Sequence, residues 1–180
     1  MQIRPYEGQL LQVLLGLIGA RRVVEIGSFM GYSTMAMAMA LPEGGTVLAL
    51  EKNPDYAALI ADHAQKCGVA DKVQVRSGDA MELLADIPAS PLWDAVFIDA
   101  EKRAYPDYLQ RVEPLIRPGG LIIGDNTLLF GAMVGEPKQK VSAEATQAMR
   151  DFNARLADSS RYRAVLIPTE EGLTVAQKLC

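Results

Sequence analysis

At 180 residues the chain is long enough for one domain with a full core and short for two. Its 49% hydrophobic content excludes a disordered chain, and a formal charge of −4 argues against a nucleic-acid surface, which needs a basic stripe. The longest apolar run, residues 10–20, is too short for a membrane span and is interrupted by Gln12, Gly16 and Gly19. No basic stretch leads into an apolar segment at the N-terminus, so no signal peptide is expected. Cys67 and Cys180 form no metal or redox spacing and are expected as reduced thiols in a cytoplasmic protein.

In chain order, residues 7–19 place Leu10, Leu14, Leu17 and Ile18 near helical spacing, with Leu11 and Leu15 widening the face, which predicts an amphipathic helix. Residues 21–26 read as a buried strand, 28–31 as a turn and 32–41 as a helix. Its Met-Ala alternation over 35–40 mimics a strand but is built of good helix formers. A turn at 42–45 leads to a strand at 46–50 that ends in Glu51. Asn53-Pro54-Asp55 supplies a cap, a first-turn proline and an acid at the positive end of a helix, which Gly68 ends. Residues 72–76 read as a third strand, Asp79 begins a short helix closed by Pro88, and 93–98 is an apolar strand ending in Asp99. A helix from 105 to about 115, disturbed at Pro114, precedes a fifth strand at 120–123. Residues 127–140 show no periodicity and read as a loop. Ser142 caps a helix to 157, and strands at 162–167 and 173–178 flank a turn at Glu170-Glu171-Gly172.

Strands that alternate with helices and then close on a hairpin imply right-handed crossovers and a doubly wound, mostly parallel α/β sheet covered on both faces. Ligands of such sheets sit beyond the carboxyl ends of the strands. The polar residues gather there: the turn after residue 26, Glu51, Asp79, Asp99, Asp125 and Asn126.

Val23-Val24-Glu25-Ile26-Gly27-Ser28-Phe29-Met30-Gly31-Tyr32-Ser33 is a strand, a glycine turn and a helix start. A dinucleotide fingerprint needs glycine where Phe29 and Tyr32 stand, and the P-loop lysine is missing. The turn suits a nucleoside ligand without phosphates, of which S-adenosylmethionine is the common one. Glu51 follows at the interval expected of a carboxylate that holds a ribose diol; the plainer reading is a strand-end acid satisfied by solvent or Lys52. Glu25, inside a strand, needs partners: either backbone amides of the turn, as an anchor, or polar groups of the cofactor. Asp79 fits both a helix cap and an acceptor beside adenine.

Asp99, Asp125 and Asn126 close adjacent strands. Two carboxylates so placed repel unless a cation lies between them, and this donor set suits a hard divalent ion such as Mg²⁺. A capped turn and a solvated strand end is the simpler alternative. Zinc is disfavoured, because His63 is the only histidine. Lys102, three residues past Asp99, would lose its proton more readily beside a cation and suits a general base; without the cation it reads as a surface lysine.

These segments, with Glu51-Lys52-Asn53-Pro54-Asp55-Tyr56, Phe97-Ile98-Asp99-Ala100-Glu101-Lys102, Arg117-Pro118-Gly119-Gly120, Asp125-Asn126 and Glu171-Gly172-Leu173-Thr174-Val175-Ala176, resemble the cation-dependent class I O-methyltransferases, the catechol and caffeoyl-coenzyme A O-methyltransferase group. The resemblance covers nearly the whole chain. It implies a Rossmann-like seven-stranded sheet with the last strand antiparallel. It also implies Asp99, Asp125 and Asn126 as metal ligands, Lys102 as base and Glu51 on the ribose. Gly27, Phe29 and Ser33 would line the methionine side and Ala80 the adenine, with Asp99 also near the cofactor's amino group. The implied reaction is methyl transfer from S-adenosylmethionine to a hydroxyl of a small aromatic diol, by a homodimer. Relatives carry further helices before the point matching Met1-Gln2-Ile3, so a methyltransferase domain over 1–180 is expected to lack them. An S-adenosylmethionine-binding protein with little turnover is the alternative, and a nucleic-acid or protein methyltransferase is disfavoured by the acidic charge.

Overall fold

The computed structural model describes residues 2–90 and 92–180; Met1, where the expected N-terminal departure begins, lies outside them. Among the described residues seven strands form one sheet: β1 (Arg22–Ile26), β2 (Thr46–Glu51), β3 (Val73–Ser77), β4 (Trp93–Ile98), β5 (Ile116–Asp125), β6 (Tyr162–Ile167) and β7 (Leu173–Lys178). Their order is β3-β2-β1-β4-β5-β7-β6. The first five pair in parallel, and β7 runs antiparallel to both β5 and β6. This is the expected doubly wound sheet, with the antiparallel last strand inserted between β5 and β6.

The helices are α1 (Pro5–Leu17), α2 (Tyr32–Ala40), α3 (Pro54–Lys66), α4 (Ala80–Ala85), α5 (Tyr105–Val112) and α6 (Ala143–Leu156). Period-2 alternation sends Val23, Val47 and Phe97 to one face, with Leu11, Met37 and Ile60 of α1, α2 and α3. Val24, Leu48 and Val96 face the other side, with Leu84, Leu109 and Phe152 of α4, α5 and α6. Each fully buried aliphatic side chain contributes about 1.5–3 kcal/mol relative to exposure. Among the described residues no helix is long and apolar enough to cross a membrane.

The cap residues read from the sequence act as such. Asn53, Asp79 and Ser142 accept hydrogen bonds from the backbone N–H groups of Asp55, Met81 and Ala145 at 2.9, 2.9 and 3.1 Å. Two expectations shift. The buried stripe of α1 is centred on Leu11 and Leu15, with Gly8 against Tyr32, while Leu17 is 78% exposed. Leu10, Leu14 and Ile18 are half-buried and pack against the edge of the same core. β5 begins at Ile116 rather than at residue 120. The Arg117-Pro118-Gly119-Gly120 run bulges out of register with β4 between the pairs Trp93–Ile116 and Ala95–Leu121. Proline, which cannot donate to the ladder, fits such a bulge.

Candidate active site

The strand order reverses between β1 and β4, and the glycine turn leaves β1 at that switch point. Gly27 has φ 86°, and a Cβ there would stand 2.3 Å from the Asp99 carbonyl oxygen, so only glycine lets the turn close on the end of β4. Phe29 also has positive φ, 49°, an unfavoured conformation for an aromatic residue. Its ring meets Tyr56 edge-on at 4.7 Å, and its N–H donates to Glu51 Oε2 at 2.7 Å. The Asn53 N–H donates to Glu51 Oε1 at 2.8 Å. Each oxygen of this buried carboxylate thus holds one backbone amide and keeps a lone pair for a further donor, such as a ribose hydroxyl. Lys52 does not neutralise Glu51; it pairs with Asp79 at 3.5 Å.

A cavity of about 510 Å³ opens beyond the strand ends, lined by Gly27, Phe29, Glu51, Asp79, Ala80 and Asp99 among others. These are the expected cofactor residues except Ser33 and Glu25. Ser33 lines a small neighbouring pocket with Gln2, Ile3 and Asp99. Glu25 is fully buried and lines neither cavity; the Ser33 and Thr34 hydroxyls donate to its two oxygens. Where the sequence offered backbone amides of the turn or the cofactor as partners, its oxygens are held by side-chain hydroxyls of α2. Burial raises its pKa to about 7, against the opposing pull of those hydroxyl bonds. A hollow of about 740 Å³ between α6 and β6 is larger but includes no carboxylate in its lining.

Asp99 and Asp125 end neighbouring parallel strands, as expected. Lys102, in a short 3-10 turn (Lys102–Ala104), donates to Asp99 Oδ1 at 2.9 Å. Asp125 is 4% exposed, and its Oδ1 has no hydrogen-bond partner. Burial first, and the charge of Asp99 second, raise its pKa. An orphaned carboxylate oxygen in the interior is costly unless a ligand takes it. Among the described residues no cluster of three His, Cys, Asp or Glu side chains could hold a metal. Asp99, Asp125 and the adjoining Asn126 offer only oxygen donors, a chemistry that suits a hard ion that keeps waters. Asn126 has φ 55°, in the left-handed region this residue type tolerates.

A family model for O-methyltransferases matches residues 1–179. The chain belongs to the O-methyltransferase family. Tricin synthase 2 of Oryza sativa subsp. japonica is 38% identical over 187 residues, covering 99% of this chain and 64% of that protein. Caffeoyl-CoA O-methyltransferase 2 of Zea mays is 38% identical over 181 residues, covering 96% of this chain and 68% of that protein. The chain thus spans about two thirds of the length of these curated relatives. Among solved structures, the O-methyltransferase TomG of Streptomyces achromogenes, involved in tomaymycin synthesis and in complex with S-adenosylmethionine, superposes with a TM-score of 0.89. It is 33% identical and covers 99% of this chain and 82% of that chain. The fold is that of the class I methyltransferases.

Set against this family, the site includes residues the sequence did not single out. Met81, Ala100 and Tyr108 line the same cavity as Glu51. Ala100 adjoins Asp99, which the sequence did single out; that its Cβ would lie 2.9 Å from any Cβ at residue 27 is visible only in the fold. Tyr108 lies one helical turn after Tyr105 in α5 and enters the site only through the docking of that helix.

Proposed function

We propose that this O-methyltransferase family member transfers a methyl group from S-adenosylmethionine to a hydroxyl of a small catechol-like or hydroxycinnamoyl-like acceptor, with the help of a divalent cation such as Mg²⁺. The observation that carries the proposal is the buried Asp125 Oδ1 without a partner, on the strand next to the one that leads into Asp99. The Asp99 carboxylate lines the cavity behind the glycine turn and receives Lys102 Nζ, while Asp125 and Asn126 line a small separate pocket with Gln2 and Ile3. The S-adenosylmethionine bound in TomG and the caffeoyl-CoA name of the maize relative support the cofactor and the acceptor class.

When bound, S-adenosylmethionine supplies a methyl group activated by its sulfonium, and the cation supplies positive charge against the acceptor's oxygens. In the proposed roles Glu51 holds the ribose hydroxyls, and Asp79 and Ala80 border the adenine. Gly27, Phe29 and Ser33 border the methionine side. Asp99, Asp125 and Asn126 hold the cation. A phenol with a pKa of about 10 is about 99.9% protonated at neutral pH, so a base is needed. Lys102 takes that proton: its Nζ is held at the strand ends rather than in bulk solvent. The glycine turn and the end of β4, locked together at Gly27, fix donor and acceptor sides relative to each other, which supplies much of the acceleration.

Methyl transfer to caffeate and catechol, assayed with and without Mg²⁺, tests the reading. EDTA is expected to stop transfer reversibly, and Asp99→Ala or Asp125→Ala to abolish it. Full activity in EDTA overturns the metal role. Calorimetric binding of S-adenosylmethionine with no transfer to any diol overturns the enzyme role and leaves a binding protein.

A further inference from the structure

Tyr105 opens α5 and lies where the elements of the proposed site meet. Its ring is fully buried, edge-on to Phe152 at 5.0 Å between centroids and tilted against Tyr108 at 6.5 Å. Its hydroxyl stands 2.7 Å from Lys102 Nζ, 2.9 Å from the Ile98 carbonyl oxygen and 2.8 Å from the Asp125 carbonyl oxygen. Ile98 precedes Asp99 at the end of β4, and Asp125 ends β5. One oxygen atom therefore joins the lysine turn to both strand ends.

A tyrosine hydroxyl has one proton, and here both carbonyls can only accept it. Toward Lys102 the hydroxyl offers a lone pair and accepts an N–H. Lysine has N–H bonds in both protonation states, three as the ammonium and two as the free amine, so this contact survives loss of the lysine's proton. The other contacts of Lys102 are less durable. Asp99 Oδ1, at 2.9 Å, belongs to a carboxylate on which cofactor and cation also draw, and the Asp125 carbonyl is distant at 3.4 Å.

We propose that Tyr105 is a positioning residue: its hydroxyl holds the Lys102 amine in place when Asp99 is engaged elsewhere, and ties that amine to the ends of β4 and β5. The assignment rests on the methyl-transfer reading above for its catalytic meaning, but not for the tether itself.

Tyr105→Phe keeps the ring and removes only the oxygen. The first readout needs no cofactor, cation or acceptor: labelling of Lys102 by an amine-selective reagent, quantified by peptide mass spectrometry against exposed Lys52. Loss of one hydrogen bond to a charged group is expected to raise the Lys102 to Lys52 ratio about tenfold; an unchanged ratio overturns the tether. Should Tyr105→Phe fail to fold, Asp99→Asn serves instead. With Tyr105 intact, Lys102 is expected to stay better protected than Lys52, and equal reactivity overturns the proposal. The second readout is a double-mutant cycle on kcat with Lys102→Met. Tyr105→Phe alone is expected to lower kcat about tenfold with the KM for S-adenosylmethionine little changed, and to add no further loss in the Lys102→Met background. Losses that multiply would mean that Tyr105 acts through packing, and overturn the proposal. If the unmodified protein transfers no methyl group to any diol, the functional reading fails, and the labelling ratio alone judges Tyr105.

Discussion

Gly27 has no room for a methyl group. Its positive φ and the 2.3 Å approach to the Asp99 carbonyl both exclude a side chain. Gly27→Ala is expected to destabilise the protein by about 2–4 kcal/mol, because neither the backbone conformation nor the neighbouring main chain can yield cheaply; urea denaturation measures it, and a loss under about 0.5 kcal/mol would contradict the geometry. The interval after the glycine turn singles out Glu51, but not the amides that its oxygens hold. Its oxygens organise the Phe29 and Asn53 amides; Asn53 is two residues away, but the contact with Phe29 spans 22 residues and no local pattern announces it. Glu51→Gln replaces one acceptor by an N–H donor that faces another donor. Calorimetric affinity for S-adenosylmethionine is expected to fall about 10- to 100-fold, the range for hydrogen bonds to a charged group; unchanged affinity would remove Glu51 from the cofactor site.

Among the elements, the helix starts were legible because capping is local chemistry. Asn53, Asp79 and Ser142 each satisfy a backbone N–H within three residues. Ser142→Ala is expected to cost about 1 kcal/mol in denaturant titration while leaving S-adenosylmethionine affinity unchanged, since Ser142 lies outside the cavity's lining. The start of β5 was missed for the opposite reason. Arg117-Pro118-Gly119-Gly120 has the composition of a turn, and only the partner strand makes it a bulge. How deeply each row of α1 is buried was likewise set by its neighbours: Leu11 and Leu15 are fully buried, while Leu10, Leu14 and Ile18 pack at the edge of the core.

Over the whole molecule, carboxylates at the two ends of the sheet oppose each other in their response to pH. Away from the site, Asp94 is held by Arg117 at 2.6 Å and by the Arg21 and Arg22 amides, while Glu113 is held by Arg155 at 2.5 Å and by Arg161. These bonds outweigh desolvation, and both pKa values are lowered. Their contribution to stability is present above the unfolded carboxylate pKa of about 4 and is lost as pH falls through the lowered native values. Glu25 has the opposite sign. With a native pKa of about 7 and an unfolded one of about 4.3, the folded protein holds more protons between those values, so stability falls as pH rises across them. Glu25→Gln, which keeps an acceptor for the Ser33 or Thr34 hydroxyl, is expected to flatten that decline. Urea midpoints at about pH 5 and 7.5 measure it; an equal decline in the variant would show that Glu25 is ionised in the native state throughout.

The sequence by itself determined the alternation of elements, the caps, the glycine turn and the type of each donor at the strand ends. These are matters of composition and spacing along a few residues, where period and backbone freedom act directly. Tertiary structure alone decided which groups meet. It left Asp125 Oδ1 without a partner, took both oxygens of Glu25 for the Ser33 and Thr34 hydroxyls, and brought the Tyr105 hydroxyl against Lys102 and two strand ends. Such facts depend on how α2 and α5 pack on the sheet, and packing is fixed by the whole core at once.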